Sequence, residues 1–439
     1  MSLPDGEAAG GAGGAAGAAG EGGPTGGGSA DSGPSRRASA GGDLRVGPGI
    51  LAPGRPESSA APSNARRQLV SSLGASLWPF VVGRVLVVVA LEAARFVADR
   101  SSIGAPRATG TTRSGLFSWD ASWYLRIAEH GYAAAGRPSL RFFPLLPLLV
   151  KALHSATGIG ARPSLLLVTT VATLVALMLV HRLVLVETAD YDLARRSVWL
   201  LALAPAAFVL VMGYAEPVLL ALAAATFLAV RTRHFAWAVL PAFAAGLCRP
   251  VGMLLAVPVV IEALVSATSG SHRTGSRAVV ARALAVLAAP AGAVAYLAWA
   301  AHLSHGFLSP LTEQLSARHR GTIADPAVTL FHDVADLLHR QHLGTALHAP
   351  FAVLFVVLMV AAFRHWPVSY GAYALVTLAV ALSAPNLDSL ERYGVGCFVF
   401  SLSLASLVGH RRAYPVVLVC SGVLLFGLAA LAFLGLYVP

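Results

Sequence analysis

One segment organises the chain, and it reads Leu116-Phe117-Ser118-Trp119-Asp120-Ala121-Ser122-Trp123-Tyr124-Leu125-Arg126-Ile127-Ala128-Glu129-His130-Gly131-Tyr132. Its apolar positions recur at helical spacing and predict one aromatic stripe, formed by Trp119, Trp123, Ile127 and, less closely, Tyr132. Tryptophan and tyrosine favour the boundary between lipid and water. The segment therefore predicts an amphipathic interfacial helix that holds the Asp120 carboxylate at the membrane surface. Capping of the helix N-terminus is the alternative role for Asp120.

The composition around this segment is that of a membrane protein. Of the 439 residues, 56% are hydrophobic and 12% are charged, and apolar runs long enough to cross a bilayer recur from about residue 72 onward. Soluble domains carry about 25% charged residues, so the composition excludes a soluble protein of this size. The runs are long and rich in Ala, Leu and Val, which favours spanning helices over a membrane β-barrel.

The net charge of +11 comes from arginine, since Lys151 is the only lysine. In a membrane protein, arginine sets the orientation of the spans and binds anionic lipid. No nucleic-acid-binding motif accompanies the arginines. Lipid and not nucleic acid is therefore the expected partner. The three cysteines, Cys248, Cys397 and Cys420, are isolated in apolar segments and predict neither a zinc site nor a disulfide framework.

The arginine pattern predicts the topology. Residues 1–65 are rich in Gly, Ala, Ser and Pro and predict a disordered cytoplasmic tail, followed by a membrane domain over 66–439. Placing the arginine clusters inside gives about eleven spans and two outer loops, 99–141 and 302–347. Residues 141–151 are broken twice by proline and predict a re-entrant or interfacial piece. The predicted spans are 72–98, 163–186, 197–213, 217–230, 235–248, 251–266, 278–301, 349–363, 367–383, 393–409 and 414–436.

This topology collects ionisable residues at the outer face. Asp120, Glu216, Arg249 and Arg392 all fall there at membrane depth, where such residues are costly and usually functional. Each has a structural alternative. Glu216 before Pro217 could cap the next helix. Arg249 could break two helices and extend to the membrane surface, and Arg392 could form a surface ion pair with an acidic neighbour, either Asp388 or Glu391.

The second outer loop, 302–347, is rich in histidine, with His302, His305, His319, His332, His339 and His342. No pair among them has a metal-ligand spacing with a partner, so the loop predicts a partly helical polar cap and no metal site.

Several motifs together resemble one family, the PIG-V-type mannosyltransferases of the GT-C class. The first block is Ser118-Trp119-Asp120 with Trp123-Tyr124-Leu125-Arg126-Ile127-Ala128 and Gly131-Tyr132, followed by Phe142-Phe143-Pro144-Leu145-Leu146-Pro147-Leu148. Three turns follow in order, Tyr214-Ala215-Glu216, Leu247-Cys248-Arg249-Pro250-Val251-Gly252 and Ser389-Leu390-Glu391-Arg392-Tyr393. Ala215, Cys248 and Glu391 stand where the family has serine, threonine and proline. The bias toward Ala, Gly and Arg is typical of a bacterial gene of high GC content, as in actinobacteria.

The resemblance implies an all-helical, GT-C-like bundle in the cell membrane with interfacial helices in the first outer loop. It implies transfer of a sugar, with mannose as the first candidate, from a polyprenyl-phosphate donor to an extracytoplasmic hydroxyl of a glycan, lipoglycan or protein. The reaction is expected to invert the anomeric centre and to need no cofactor or divalent metal. In these roles Asp120 is the catalytic base with Glu216 as the second catalytic candidate. Arg249 and Arg392 bind the donor phosphate. The expected substrate-binding residues are Trp119, Trp123, Tyr124 and Tyr393.

Two readings compete with an enzyme. A transporter or lipid flippase also buries charges in spans, but it predicts repeats and broken helices near the membrane midplane, and the sequence has no internal repeat. A family member without catalytic activity, acting in glycan assembly, is the second, and the altered residues Ala215, Cys248 and Glu391 leave it open.

Overall fold

The computed structural model describes a chain of helices. It covers residues 62–100, 105–268, 275–304, 306–316, 321, 324–325, 327–331, 335, 348–384, 387–409 and 412–438, with side chains from residue 66 and not at 105–109. Most of the predicted tail, and the loop histidines apart from His302, lie outside the described residues. Helix α1 already begins at Pro62, three residues before the predicted end of the tail at residue 65.

The helices are, in chain order, α1 (Pro62–Arg100), α2 (Ala105–Ser114), α3 (Asp120–Ala135), α4 (Leu145–Thr157), α5 (Ala161–Thr188), α6 (Tyr191–Ala202), α7 (Glu216–Arg231), α8 (Phe235–Cys248), α9 (Ala256–Thr268), α10 (Ser276–Ser304), α11 (Ser309–Gln314), α12 (Ala349–His365), α13 (Val368–Leu382), α14 (Leu390–Gly396), α15 (Val399–Leu407) and α16 (Ala413–Phe433). Shorter 3-10 turns cover Gly115–Phe117, Arg137–Arg141, Ala207–Leu210 and Pro250–Leu255. The described part of the chain contains no strand, which confirms the all-α fold class.

Four helical segments are long and apolar enough to cross a membrane, judged by length and composition. They are Ala161–Thr188, Pro250–Thr268, Ser276–Ser304 and Ala413–Phe433. Shorter apolar helices accompany them at Leu145–Thr157, Phe235–Cys248, Ala349–His365 and Val368–Leu382. The protein is therefore a multi-pass membrane protein, and the count of about eleven spans stays a prediction.

Three predicted segments differ from the structure. The span predicted over 197–213 is helical only to Ala202, and buried turns follow it because Pro205 cannot continue a helix. The span predicted over 393–409 is interrupted at Cys397, between α14 and α15. The piece predicted as re-entrant or interfacial over 141–151 lacks the expected break at Pro147, because a regular helix runs from Leu145 and Pro147 occupies its first turn, where proline is tolerated. Its re-entrant or interfacial placement stays a prediction.

Small residues set the packing of the bundle where helices α8 and α10 cross. A Cβ atom on Gly246 would overlap the carbonyl oxygen of Ala289, and one on Gly292 would overlap the carbonyl oxygen of Phe243. The two backbones therefore touch directly, as small residues allow in membrane helix pairs. This crossing places the end of α8, and with it Arg249, against the neighbouring helices.

Enlarging Gly246 by one methyl group tests this crossing. In Gly246→Ala the new atom meets backbone, which no rotamer change relieves, so we expect a loss of about 1–3 kcal/mol in stability and a lower unfolding temperature in detergent. Gly74→Ala is the matched control, because nothing lies within 4 Å of a Cβ atom at that helical position. It should leave the unfolding temperature unchanged or raise it slightly, and equal behaviour of the two variants would contradict the close crossing.

Candidate functional site

Asp120 is the first residue of helix α3, and the residue before it, Trp119, occupies the capping position without a side-chain capping bond. The carboxylate of Asp120 instead faces a cation, with Oδ2 2.6 Å from Nη1 of Arg392. The capping role considered for Asp120 is therefore wrong. The aspartate side chain is 24% exposed, so it is both paired and reachable.

Glu216 is the first residue of helix α7 and is fully buried. Its Oε1 atom accepts hydrogen bonds from Nη1 of Arg249 and from Nε of Arg392. Ala215 occupies the capping position, so a capping role for Glu216 is also wrong. One buried carboxylate is shared by the two arginines that the sequence analysis selected.

Arg392 lies on the short helix α14 and connects both acids, since its Nη1 pairs with Asp120 and its Nε with Glu216. The surface ion pair considered for Arg392 is wrong, because the side chain is only 7% exposed and pairs with Asp120 and Glu216 instead. Arg249 follows the last residue of α8, is 15% exposed and pairs with Glu216.

Contacts between turns bring these side chains together. The backbone N–H of Gly213 donates to the carbonyl of Leu116 over 3.1 Å, which joins the turn before α7 to the segment before α3. A Cβ atom on Gly213 would come within 3 Å of the Leu165 side chain, so any larger residue at this turn would displace Leu165. The thiol of Cys248 lies 3.6 Å from the carbonyl of Ala215, so two of the residues that depart from the family pattern contact each other beneath Glu216 and Arg249.

The four aromatic residues predicted to bind substrate take different positions. Trp119 donates its indole N–H to the carbonyl of Ala432 over 3.0 Å, and Trp123 stacks on Phe142 with ring centroids 5.7 Å apart. Tyr124 is buried with its edge against the same Phe142 ring, 5.1 Å away.

Tyr393, the fourth, has its ring 5.9 Å from the guanidinium of Arg249.

The prediction of a single aromatic stripe on α3 is wrong. Trp119 precedes the helix, Gly131 kinks it at φ 76°, and the buried face carries Ala121, Tyr124, Leu125, Ile127 and Ala128.

Arg141 completes the group of cations and was missed as a site residue in the sequence. Its guanidinium lies 4.7 Å from the ring of Phe142 and 5.8 Å from that of Trp123. Burial opposes ionisation of Asp120, but the charges of Arg392, Arg141 and Arg249 outweigh it and hold the pKa of this carboxyl below its ordinary value. The signal available in the sequence was the arginine directly before Phe142-Phe143-Pro144.

A second buried network lies beside Arg392 and was also missed. The carboxylate of Glu391 is 2.6 Å from Nδ1 of His348 and accepts a hydrogen bond from the hydroxyl of Tyr437 over 2.7 Å. All three side chains are buried. The network ties α14, which carries Arg392, to the start of α12 and to the segment after α16. No local signal links three residues so far apart in sequence.

Among the described residues no group of three His, Cys, Asp or Glu side chains is arranged to hold a metal ion. Five of the six histidines that suggested a metal in the loop 302–347 lie outside the described residues. The absence of a metal and of a cofactor stays a prediction.

Apolar helices around a cluster of two carboxylates and two arginines define a multi-pass membrane protein with paired charges at the ends of its helices. Residues 68–274 match the family model described as Mannosyltransferase (PIG-V). The match covers nearly half of the chain. It confirms the resemblance seen in the motifs and supports the expected enzyme class, a glycosyltransferase.

Comparison with curated proteins gives no match. Among solved structures the chain is similar to an oligosaccharyltransferase from Archaeoglobus fulgidus, crystallised with zinc and sulfate. The identity is 14% and the TM-score 0.38, with 66% of this chain and 44% of that enzyme covered. The chain spans less than half the length of that enzyme, and a likeness at this level carries no argument about the site.

Neutralising Glu216 tests the shared carboxylate. Glu216→Gln keeps the shape of the side chain but leaves two buried arginines with one acid, so we expect a loss of about 3–5 kcal/mol in stability, measured as a fall in the unfolding temperature in detergent. Asp192→Asn is the control, because the pair of Asp192 with Arg195 is exposed and 4.0 Å long. That pair should contribute no more than about 1 kcal/mol. A Glu216→Gln protein as stable as the control would show that the cluster is not a structural unit.

Proposed function

We propose that the protein transfers a sugar, with mannose as the first candidate, from a polyprenyl-phosphate donor to a hydroxyl of a glycan, lipoglycan or protein acceptor. The observation that supports this most directly is the cluster of Asp120, Glu216, Arg249 and Arg392, in which a reachable carboxylate adjoins two guanidinium groups. Glycosyl transfer to a hydroxyl requires a proton acceptor and a group that stabilises the departing phosphate. The cluster contains both.

The reaction is a single displacement with inversion. The acceptor hydroxyl gives its proton to the carboxylate of Asp120 as its oxygen forms a bond to the anomeric carbon of the donor sugar. The bond between that carbon and the phosphate oxygen breaks, and its electron pair leaves with the polyprenyl phosphate. N–H groups of the arginines stabilise the charge that develops on the leaving oxygen. Because guanidinium groups can fill this role, the proposed mechanism needs no divalent metal or other cofactor.

Burial distinguishes the two acids. The side chain of Asp120 is 24% exposed, whereas that of Glu216 is 1% exposed and is paired with both arginines. An acceptor hydroxyl can reach Asp120 without disturbing the fold, so Asp120 is the proposed base. Glu216 holds the arginines in place and is the second candidate. The low pKa of Asp120 keeps its carboxylate ionised and able to accept a proton at neutral pH.

Arg249 and Arg392 are the proposed ligands of the donor phosphate. Each guanidinium has five N–H donors, more than its contacts with the two acids use. Trp119, Trp123, Tyr124 and Tyr393 are the proposed substrate-binding residues. Tyr393 lies beside Arg249, and Trp123 follows Asp120 by about one turn of α3.

The proposed location is the cell membrane, with a cytoplasmic N-terminus and the site on the extracytoplasmic side, where a polyprenyl-linked sugar is available to an envelope glycan. The arginine asymmetry of the sequence supports this orientation.

Reporter fusions test the orientation. Fusions after Arg66, Arg195 and Arg277 should report a cytoplasmic position, because positive residues are retained on that side, and fusions near Asp120 and Glu216 should report an external one. A cytoplasmic Asp120 would contradict the proposed location and would place the donor sugar on the wrong side of the membrane.

Asp120→Asn tests the proposed base. Asparagine keeps the size of the side chain and can still accept a hydrogen bond from Arg392, but it cannot take up the acceptor proton. We expect transfer from polyprenyl-phosphate mannose, measured with radiolabelled donor on membranes, to fall by about 100-fold or more, while donor binding persists.

The control for this experiment is Asp192→Asn, which removes an exposed acid whose ion-pair partner, Arg195, is outside the cluster. It should leave transfer unchanged. Near-normal turnover by well-expressed Asp120→Asn would remove Asp120 as the base and make Glu216 the first candidate. A wild-type protein that binds donor but transfers nothing would favour the non-catalytic assembly role.

A further inference from the structure

The charges of the central cluster cancel. Asp120 and Glu216 contribute two negative charges, and Arg249 and Arg392 contribute two positive charges. Direct contacts link Asp120 to Arg392, Arg392 to Glu216 and Glu216 to Arg249. A sugar joined to a polyprenyl phosphate is a phosphodiester with a single negative charge. The four residues alone provide hydrogen bonds for that phosphate but no net charge to balance it. An additional cation near the cluster would supply the missing attraction.

Arg141 is placed to be that cation. Its side chain lies over the rings of Phe142 and Trp123, at 4.7 and 5.8 Å, and Trp123 is one helical turn beyond Asp120. Within the part of the chain that the structure describes, no carboxylate forms an ion pair with Arg141, and its buried Nε atom has no hydrogen-bond partner. The nearby Glu313 is engaged by Arg137 at 2.6 Å.

Ring stacking and backbone hydrogen bonds hold the aromatic residues beside Arg141. Trp123 and Phe142 stack with an angle of 16° between their rings. The backbone carbonyl of Phe142 accepts a hydrogen bond from the hydroxyl of Tyr132 over 2.6 Å, and Tyr296 donates to the carbonyl of Leu140 over 2.7 Å. A guanidinium stacked on aromatic rings stays charged, and the N–H groups at its edge point away from the rings. These N–H groups can then donate hydrogen bonds to a phosphate.

We propose that Arg141 binds the phosphodiester of the lipid-linked donor and supplies the positive charge that the Asp120–Glu216–Arg249–Arg392 cluster lacks. This rests on the proposed function and deepens it. Arg249 and Arg392 contribute hydrogen bonds while their charges are balanced by the two acids. Arg141 contributes net charge, and so it determines whether the site prefers a charged lipid to a neutral one.

Binding without turnover tests the proposal. The probe is a methyl polyprenyl phosphodiester, which has the single charge of the donor and no sugar to transfer, and the comparison probe is the uncharged polyprenol. Affinities are measured with the full-length protein in lipid nanodiscs. Arg141→Gln should weaken phosphodiester binding by about 10- to 100-fold, the range for loss of a charged hydrogen-bonding group, and leave polyprenol binding unchanged. Arg141→Lys keeps the charge but loses the fork, so it should lie between wild type and Arg141→Gln.

Arg126→Gln is the matched control, since Arg126 is an exposed arginine on α3 whose described hydrogen bond goes to the backbone carbonyl of Ala134. It should bind both probes as the wild type does. Polyprenol affinity serves as the internal check on folding, because a distorted site would lose both ligands together.

Three results would overturn the proposal in distinguishable ways. If the wild type prefers the phosphodiester and Arg141→Gln keeps that preference, the assignment of Arg141 fails and the proposed function stands. If Arg126→Gln weakens phosphodiester binding as much as Arg141→Gln, the effect is general surface charge. If the wild type binds both probes equally, the proposed donor class fails together with the role of Arg141.

Discussion

The buried carboxylate of Glu216 is the constraint on which the rest of the site depends. An acid inside a membrane protein is stable only when it is paired, and here two guanidinium groups share one oxygen atom. Two cations on one acid leave an excess positive charge, and Asp120 offsets it through Arg392. The positions of both arginines therefore depend on Glu216, and the position of Asp120 depends on Arg392. These ion pairs join four chain segments, those that carry residues 120, 216, 249 and 392. Apolar packing alone would not fix the relative orientation of these segments.

Buried ion pairs hold helix α7 at its C-terminal end as well as at Glu216. Its first residue is Glu216 and its last is Arg231, whose Nη1 and Nη2 atoms lie 2.7 Å from Glu262 and 2.8 Å from Glu187. An acid at the N-terminus and a cation at the C-terminus both suit the helix dipole. A helix of 16 residues is about 24 Å long, so buried ion pairs fix α7 at two distant points. The position of Glu216 thus depends on contacts with α5 and α9 as well as on those within the site.

The sequence predicts the all-helical class, most helix positions and the residues of the central cluster, because apolar runs and charges at membrane depth are local signals. It does not predict the partners of those charges. Capping of α3 by Asp120 and a surface ion pair for Arg392 were reasonable local readings, yet the two residues pair with each other across 272 positions. His348, Glu391 and Tyr437 form a network whose members give no sign of one another in sequence. Arg141 is a flanking residue in its motif and becomes part of the site only through the stacking of Trp123 on Phe142.

The segment that matches the family model ends at residue 274 and contains Asp120, Glu216 and Arg249, but Arg392 lies beyond it. The later part of the chain therefore completes the cluster. Two residues with positive φ, Trp119 at 57° and Ser389 at 68°, precede the helices that carry Asp120 and Arg392, and side chains other than glycine adopt this conformation only when their surroundings hold them there. The last part of the chain contributes to both, since Ala432 accepts the indole N–H of Trp119, and Tyr437 donates to Glu391, two residues after Ser389. Asp120 and Arg392 thus each follow a turn with positive φ, and residues at or just after the C-terminal end of α16 form hydrogen bonds to residues in or beside both turns.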